Sequence, residues 1–136
     1  MKTFTSKTQK IGEIGEKMAK MFLVKHGYEI IELNYTVKMG EIDIVAKKAD
    51  IWHFVEVKSV TREIYTEKGD FLMFTDKTPY RPEENMHPKK IEKFVRSVEH
   101  YLMNNNLEVE HQIDLALVYI DQEKKIGKVK LLENIV

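Results

Sequence analysis

Three residues whose side chains can do chemistry, Asp43, Glu56 and Lys58, lie on two short segments that the sequence predicts to be β-strands. A polar turn at 47–50 separates the segments, so their simplest arrangement is an antiparallel hairpin. Side chains alternate along a strand, and Glu56 and Lys58 therefore share one face. Charged groups that gather among apolar neighbours are costly unless a cation or another charge compensates them.

This combination suits a divalent metal ion next to a phosphate. Mg²⁺ prefers oxygen ligands and typically binds one or two carboxylates, waters and substrate phosphate. Asp43 and Glu56 are therefore candidate ligands of Mg²⁺ or Mn²⁺, and the backbone carbonyl of Val57 could add a further oxygen. Lys58 would lie beside the metal, where it could orient or deprotonate an attacking water or neutralise charge on the phosphate. Glu-Val-Lys alone is also a common half-exposed strand pattern, and the preceding segment 40–43 is what favours a site.

The first strand carries a second acid. Glu41 lies one alternation before Asp43 and is predicted to share its face, whereas Ile42 and Ile44 are predicted to point together to the opposite face. Glu41 is therefore a second-line candidate for the metal site. Asp114, in a later apolar segment, could support the site or pair with a lysine, and it is taken as structural by default.

Motifs along most of the chain resemble one family. Asp43 followed by Glu56-Val57-Lys58 is similar to the metal-binding core of the PD-(D/E)XK nuclease superfamily. The chain is identified as a member of the YraN-like family, which is similar to archaeal Holliday-junction resolvases. The opening residues that match that family are Gly12, Gly15, Glu16, Ala19, Phe22, Leu23, Gly27 and Tyr28.

The resemblance implies a nuclease-like fold, Mg²⁺ or Mn²⁺ as cofactor, and DNA, including branched DNA, as substrate. It also implies that Glu16 is a further catalytic acid, aimed at the metal cluster from the first helix. From the residues alone, the favoured interpretation of Glu16 is an exposed helical glutamate paired with Lys20, four residues on.

The predicted fold class is α/β, a restriction-endonuclease-like core in which a mixed β-sheet is flanked by helices in the order α-β-β-β-α-β-β. The predicted helices span 8–26 and 89–104, and the predicted strands span 28–37, 41–47, 51–60, 112–120 and 125–132. Gly27 is expected to end the first helix in a left-handed conformation. Gly12, Gly15 and Ala19 form a small-residue stripe along which another element could approach closely.

Residues 1–136 are predicted to form one nuclease-like domain with a long irregular loop at about 61–88. Aromatic residues in the loop could stack on unpaired bases, pack as a satellite core, or take part in a dimer contact. These are Tyr65, Phe71, Phe74 and Tyr80. The two packing alternatives together are favoured over stacking.

Composition narrows the function classes. The 43% hydrophobic content is that of a globular protein, and no stretch approaches the roughly 20 apolar residues that span a bilayer. The first residues lack a leader-like apolar core, so the cytoplasm is the expected compartment. The absence of cysteine excludes disulfides and thiolate chemistry. Neither a His-x-x-x-His pair nor a Gly-rich phosphate loop is present, which argues against a histidine-based zinc hydrolase and against a nucleotide cofactor.

The charge of the chain gives less information about its binding partners than its composition gives about its function class. A formal net charge of zero argues mildly against a nonspecific DNA coat, but lysines crowd the two predicted helices. The candidate phosphate contacts are Lys10, Lys17, Lys89, Lys90 and Lys93. Their alternative is a solvated helix face. A homodimer is compatible with the resemblance. The competing function is a nonenzymatic nucleic-acid-binding module, or an accessory protein in DNA repair, recombination or uptake.

Overall fold

The computed structural model describes residues 7–64 and 86–136. These residues form a five-stranded sheet with one helix on each face. The elements are α1 (Lys7–Lys25), β1 (Glu29–Val37), β2 (Gly40–Lys48), β3 (Ile51–Thr61), α2 (Pro88–Asn104), β4 (His111–Asp121) and β5 (Ile126–Leu132). Each bound lies within one residue of the predicted one.

The strands lie side by side in chain order, β1-β2-β3-β4-β5. β3 and β4 are parallel, because the chain between them crosses over through α2, and the other neighbours are antiparallel. The sheet is thus mixed and flanked by helices in the order α-β-β-β-α-β-β. The predicted α/β fold class, a mixed sheet flanked by helices in this order, is confirmed.

Two apolar layers hold the helices onto the sheet. α1 packs on one face through Ala19 and Leu23, which contact the cluster that includes Val55 and Val118. α2 packs on the other face, where its buried side chains meet a second cluster. That second cluster includes Phe54, Phe94, Val98, Tyr101, Leu115 and Leu117. The alternation of β3 and β4 therefore assigns even and odd residues to different helices.

Gly27 ends α1 as predicted. Its φ of 88° lies in the left-handed region that favours glycine. The next residue, Tyr28, donates its N–H to the carbonyl of Leu23 at 2.9 Å, which satisfies a carbonyl at the end of the helix. This turn leads the chain directly into β1.

Gly15 lets α1 approach β3 closely, and Gly12 does not take part. A Cβ at Gly15 would lie 3.0 Å from the Cβ of Ser59, whereas a Cβ at Gly12 would have nothing within 4 Å among the described residues. The predicted small-residue stripe is therefore confirmed at Gly15 and is wrong at Gly12. The close approach brings the middle of α1, including Glu16, onto the strand that carries Glu56.

The segment predicted as a long loop begins where β3 ends. Arg62 donates its N–H to the carbonyl of Ile120 at 3.0 Å, so the start of the segment still runs alongside β4. Residues 65–85 lie outside the described part of the chain, and so do the aromatics for which stacking or packing roles are predicted. Within the described ranges, neither helix is long and apolar enough to cross a membrane.

Candidate active site

β2 and β3 separate before either strand ends. Their antiparallel pairing starts at the hairpin turn, and its last partners are Ile44 and Val55. Beyond that point β2 remains paired with β1, and β3 remains paired with β4. We call the space between residues 40–43 of β2 and residues 56–58 of β3 the fork.

At the start of the fork, the side chain of Asp43 takes the place of a backbone hydrogen-bond partner for β3. Its Oδ2 accepts a hydrogen bond from the backbone N–H of Val57 at 2.8 Å. In an extended strand, the N–H and C=O of one residue point to the same edge. The carbonyl of Val57 is therefore directed toward the fork as well, on the side of the predicted metal site.

The predicted alternation of β2 is wrong at the fork. Ile42 packs in the core cluster that contacts α2, whereas Ile44 packs in the cluster that contacts α1. Opposite Asp43, the neighbouring strand β1 carries Asn34 with a φ of 51°, in the left-handed region, so the β1–β2 pair departs from a regular pleat between these two residues. Asp43 lies at this irregularity, between the two layers.

Asp43, which is half-buried, and Glu56, which is buried, form a pair of acids. They share a side-chain hydrogen bond, and Glu56 is only 8% exposed. Burial, followed by the charge of Asp43, raises the pKa of Glu56 to about 8. Burial also raises the pKa of Asp43, an effect that the Val57 N–H opposes and the charge of Glu41 reinforces. Two carboxyl groups in contact cannot both ionise without compensation.

Two further acids approach Asp43 from the other side. One carboxylate oxygen each of Glu16, Glu41 and Asp43 lies within 4.8 Å of the others. Glu16 is half-buried, although the residues alone favoured an exposed glutamate. α1 therefore delivers an acid to the fork, as the resemblance implies, and β2 delivers two.

Lys58 follows Glu56 on the same face of β3. Val57, between them, packs against the α1 side, so the alternation directs Glu56 and Lys58 toward the α2 side. Lys58 is half-buried. The predicted acids and the predicted lysine thus lie on adjoining stretches of two separating strands.

Lys90 has a contact that the sequence did not indicate. Its Nζ lies 3.4 Å from Oε1 of Glu56, and its side chain is 61% exposed. Lys90 also lines a cavity of about 350 Å³ on the α2 side of the fork, together with Glu41, Asp43, Glu56 and Lys93. The lysine assigned by sequence to phosphate contact is therefore bound to a site acid. Its position in the first turn of a helix, far from Glu56 in sequence, gave no signal of this pairing.

The remaining predicted phosphate contacts are exposed side chains on the two helices. Lys10 and Lys17 lie on α1, and Lys89 and Lys93 lie on α2, so the two groups occupy opposite layers of the sheet. Of those on α2, Lys93 lines the cavity beside the fork. The residue before this helix, His87, is its N-cap and accepts a hydrogen bond from the N–H of Lys89 at 3.2 Å.

A second buried acid lies outside the fork, and its carboxylate is fully engaged. Asp114 is completely buried, and its Oδ2 lies 2.7 Å from Nδ1 of His53. Its Oδ1 accepts from Nε2 of Gln112 at 2.8 Å and from the N–H of Asn134 at 2.9 Å. We call these four residues the clamp. The structural interpretation of Asp114 is supported, with a histidine in place of the expected lysine.

The fork has the composition of a site for a hard divalent cation. It gathers carboxylates from α1, β2 and β3, and burial raises the pKa of both Asp43 and Glu56. Oxygen donors of this kind match Mg²⁺ and Mn²⁺ better than softer metals. Asp43, Glu56 and the carbonyl of Val57 could hold such an ion, with Glu16 and Glu41 adjacent.

Comparison with known proteins finds one family. The model of the family described as "Uncharacterised protein family UPF0102" matches residues 15–118. A UPF0102 protein of Campylobacter fetus is 37% identical over 121 residues, which cover 89% of this chain and 88% of the relative. A UPF0102 protein of Aliarcobacter butzleri is 38% identical over 125 residues, covering 91% of this chain and 94% of that protein.

One solved structure is similar at a low level. It is described as the structure of Pyrococcus furiosus SfsA in complex with Ca²⁺ and is 16% identical, with a TM-score of 0.36. The match covers 93% of this chain and 63% of that one. A similarity of this size carries no argument about function.

Proposed function

The chain belongs to the uncharacterised protein family UPF0102, and from the geometry of its fork we propose that it is a metal-dependent nuclease that hydrolyses phosphodiester bonds of DNA. The YraN-like family named from the sequence motifs is this same family. The observation that carries the proposal is the convergence of Asp43, Glu56 and Glu16 from three elements at one opening between strands.

The acids have distinct parts in the proposed reaction. Asp43, fixed by the N–H of Val57, and Glu56 would hold Mg²⁺ or Mn²⁺, and the ion would supply an electrophile next to the scissile phosphate and favour ionisation of a nearby water. Glu16 and Glu41 add negative charge close to Asp43. Fixed carboxylates of this kind orient a bound cation without rearranging during the reaction.

Lys58 is the group that we propose to accept a proton or to stabilise negative charge on the phosphate. From the face it shares with Glu56, its amine either takes a proton from the attacking water or donates a hydrogen bond to the phosphate oxygen that gains charge. Both roles require the side chain to stay near Glu56, which the alternation along β3 provides. Replacing Lys58 by alanine removes both.

The exposed lysines of α2 support DNA as the substrate. Lys89, Lys90 and Lys93 lie in its first two turns, and two of them line the cavity beside the fork. Phosphate groups that cross the cavity would meet these side chains. Branched DNA enters the proposal through the resemblance to Holliday-junction resolvases, and so does a homodimer, which would cut two strands.

Incubation of the purified protein with labelled DNA tests the proposal. Four-way, flapped, single-stranded and linear duplex substrates are incubated with Mg²⁺, Mn²⁺ or EDTA, and products are resolved on a denaturing gel. The wild type is expected to cleave at least one substrate only with a divalent cation. Asp43→Asn and Lys58→Ala are expected to lose about a hundredfold or more in rate.

The matched control is Asp50→Asn, which removes an acid from the tip of the β2–β3 hairpin. The Asp50 side chain is 99% exposed, and its φ of 64° is one that asparagine adopts readily. Cleavage that persists in both Asp43→Asn and Lys58→Ala would contradict the proposal. Salt-dependent DNA binding that needs no divalent cation and survives Asp43→Asn, without cleavage, would favour the nonenzymatic binding module.

A further inference from the structure

Lys90 and a divalent cation would compete for the same oxygen atom. The Nζ of Lys90 lies 3.4 Å from Oε1 of Glu56, and Glu56 is one of the two acids to which the proposed function assigns the cation. A metal bound to that carboxylate would bring two positive charges within a few ångströms of each other. Since like charges at this distance repel, the ion and the ammonium group of Lys90 would each weaken the other's binding to Glu56.

The two partners differ in their freedom to move. The Glu56 side chain is 10% exposed, and its backbone belongs to β3, the central strand of the sheet. The Lys90 side chain is 61% exposed and lies in the first turn of α2, two residues after Pro88. The lysine can therefore leave by rotating its long side chain, with no change in the backbone.

The cavity beside the fork is where the Lys90 ammonium group would lie after leaving Glu56. Lys90 lines this cavity, as does Lys93 one turn further along the same helix. A phosphate group next to a cation held by Asp43 and Glu56 would lie at this cavity. An ammonium group that leaves Glu56 would then lie within reach of the phosphate oxygens.

We propose that Lys90 is a built-in substitute for the metal ion: it pairs with Glu56 in the metal-free protein, and cation binding transfers it to a phosphate of the nucleic acid. This inference rests on the proposed function, because it assumes that the fork binds a divalent cation. It makes Lys90 a positioning residue that couples cation binding to substrate binding. Removing Lys90 should therefore strengthen cation binding, an effect that a purely structural lysine would not produce.

Calorimetric titration of Mn²⁺ at pH 8 tests the competition. Lys90→Met keeps the length of the side chain and removes its charge, and it should raise Mn²⁺ affinity about threefold, the size typical of a part-exposed ion pair. Lys89→Met, in the same helical turn, removes the same charge from a neighbouring exposed position and should leave the affinity within experimental error. Lys90→Arg retains the charge and should bind Mn²⁺ as the wild type does.

The outcomes separate this inference from the proposed function. Tighter Mn²⁺ binding by Lys90→Met alone supports the competition, and misfolding cannot imitate a gain of affinity. Unchanged or weaker binding by Lys90→Met, when the wild type binds Mn²⁺, overturns the inference and leaves the cation site intact. Absence of binding by the wild type, or equal binding by Asp43→Asn, overturns the proposed cation site and this inference with it.

The transfer to phosphate has its own measurement. DNA affinity is measured by fluorescence anisotropy with Ca²⁺ and, separately, with EDTA. Lys90→Met should weaken binding about threefold with Ca²⁺ and much less with EDTA, because Lys90 is engaged with Glu56 in the metal-free protein. Equal losses under the two conditions would overturn the transfer step.

Discussion

The fork and the clamp both bury carboxylates within the sheet, yet they treat them in opposite ways. In the clamp, His53, Gln112 and Asn134 direct three N–H donors at Asp114. In the fork, Asp43 accepts one backbone N–H and also lies close to the carboxyl groups of Glu56, Glu16 and Glu41. Donors surround the carboxylate of the clamp, whereas in the fork several carboxyl groups lie close to one another.

The difference shows how a buried acid used for packing can be distinguished from one available for chemistry. Asp121, a further buried acid, has its pKa lowered chiefly by the N–H groups of Ile64 and Lys124. The pKa of Glu56 is instead raised, because burial and a neighbouring carboxylate outweigh Lys90. An acid with a full set of donors fixes the fold, and an acid with too few donors can receive a cation.

The largest expected effect contrasts the two regions directly. Asp114→Ala removes the acceptor of three donors, one of which is the buried ring of His53, and should lower the free energy of unfolding by about 3 kcal/mol. Asp43→Ala removes both a carboxylate that repels Glu56 and the acceptor of the Val57 N–H, so the two effects offset each other and the free energy should change by no more than about 1 kcal/mol. Urea denaturation at pH 8 in EDTA measures both. Similar losses in the two variants would refute the distinction between fork and clamp.

The next effect is a dependence on pH that arises in the fork. The pKa of Glu56 is about 8 in the folded protein and ordinarily 4.5, so the folded state binds more protons between these values. Stability of the metal-free protein should therefore fall as pH rises from about 4.5 to about 8, by on the order of 3 kcal/mol. Glu56→Gln should abolish this component.

Chemical denaturation of the wild type and Glu56→Gln at several pH values in EDTA is the required measurement. The difference in unfolding free energy between the two proteins should shift in favour of Glu56→Gln as pH rises. A difference that stays constant from pH 5 to pH 8.5 would mean that Glu56 is not held protonated by its surroundings.

A smaller effect comes from the helix that completes the fork. Gly15→Ala places a methyl group against Ser59, so it should lower stability by about 1–2 kcal/mol and weaken cation binding by displacing Glu16. Gly12→Ala is the matched control, because a Cβ there meets nothing within 4 Å among the described residues, and it should raise stability by about 0.5–1 kcal/mol. Thermal unfolding, with and without Mn²⁺, compares the two. Equal behaviour would indicate that the close approach at Gly15 does not position Glu16.

Much of the fold could be predicted from the sequence because the signals were local. The hairpin after β2 is marked by its polar turn, and the structure gives Ala49 and Asp50 the positive φ values of a tight hairpin turn. Gly27 marks the end of α1 in the same local way. Alternation along β3 also assigned Glu56 and Val57 to opposite faces.

The remaining features could not be predicted because they depend on contacts distant in sequence. The change of layer between Ile42 and Ile44 coincides with the left-handed conformation of Asn34 on the neighbouring strand β1, which local periodicity does not record. The pairing of His53 with Asp114 arises because β3 and β4 are parallel neighbours. The pairing of Lys90 with Glu56 likewise depends on how α2 crosses the sheet.

Calorimetric titration of Mg²⁺ or Mn²⁺ into the wild type, Asp43→Asn and Asp114→Asn at pH 8 tests most directly whether the fork is a cation site. The account predicts saturable binding by the wild type, loss of that binding in Asp43→Asn, and retention in Asp114→Asn as long as that variant is folded. Cation binding that is unaffected by Asp43→Asn, or that is absent from the folded wild-type protein, would contradict it.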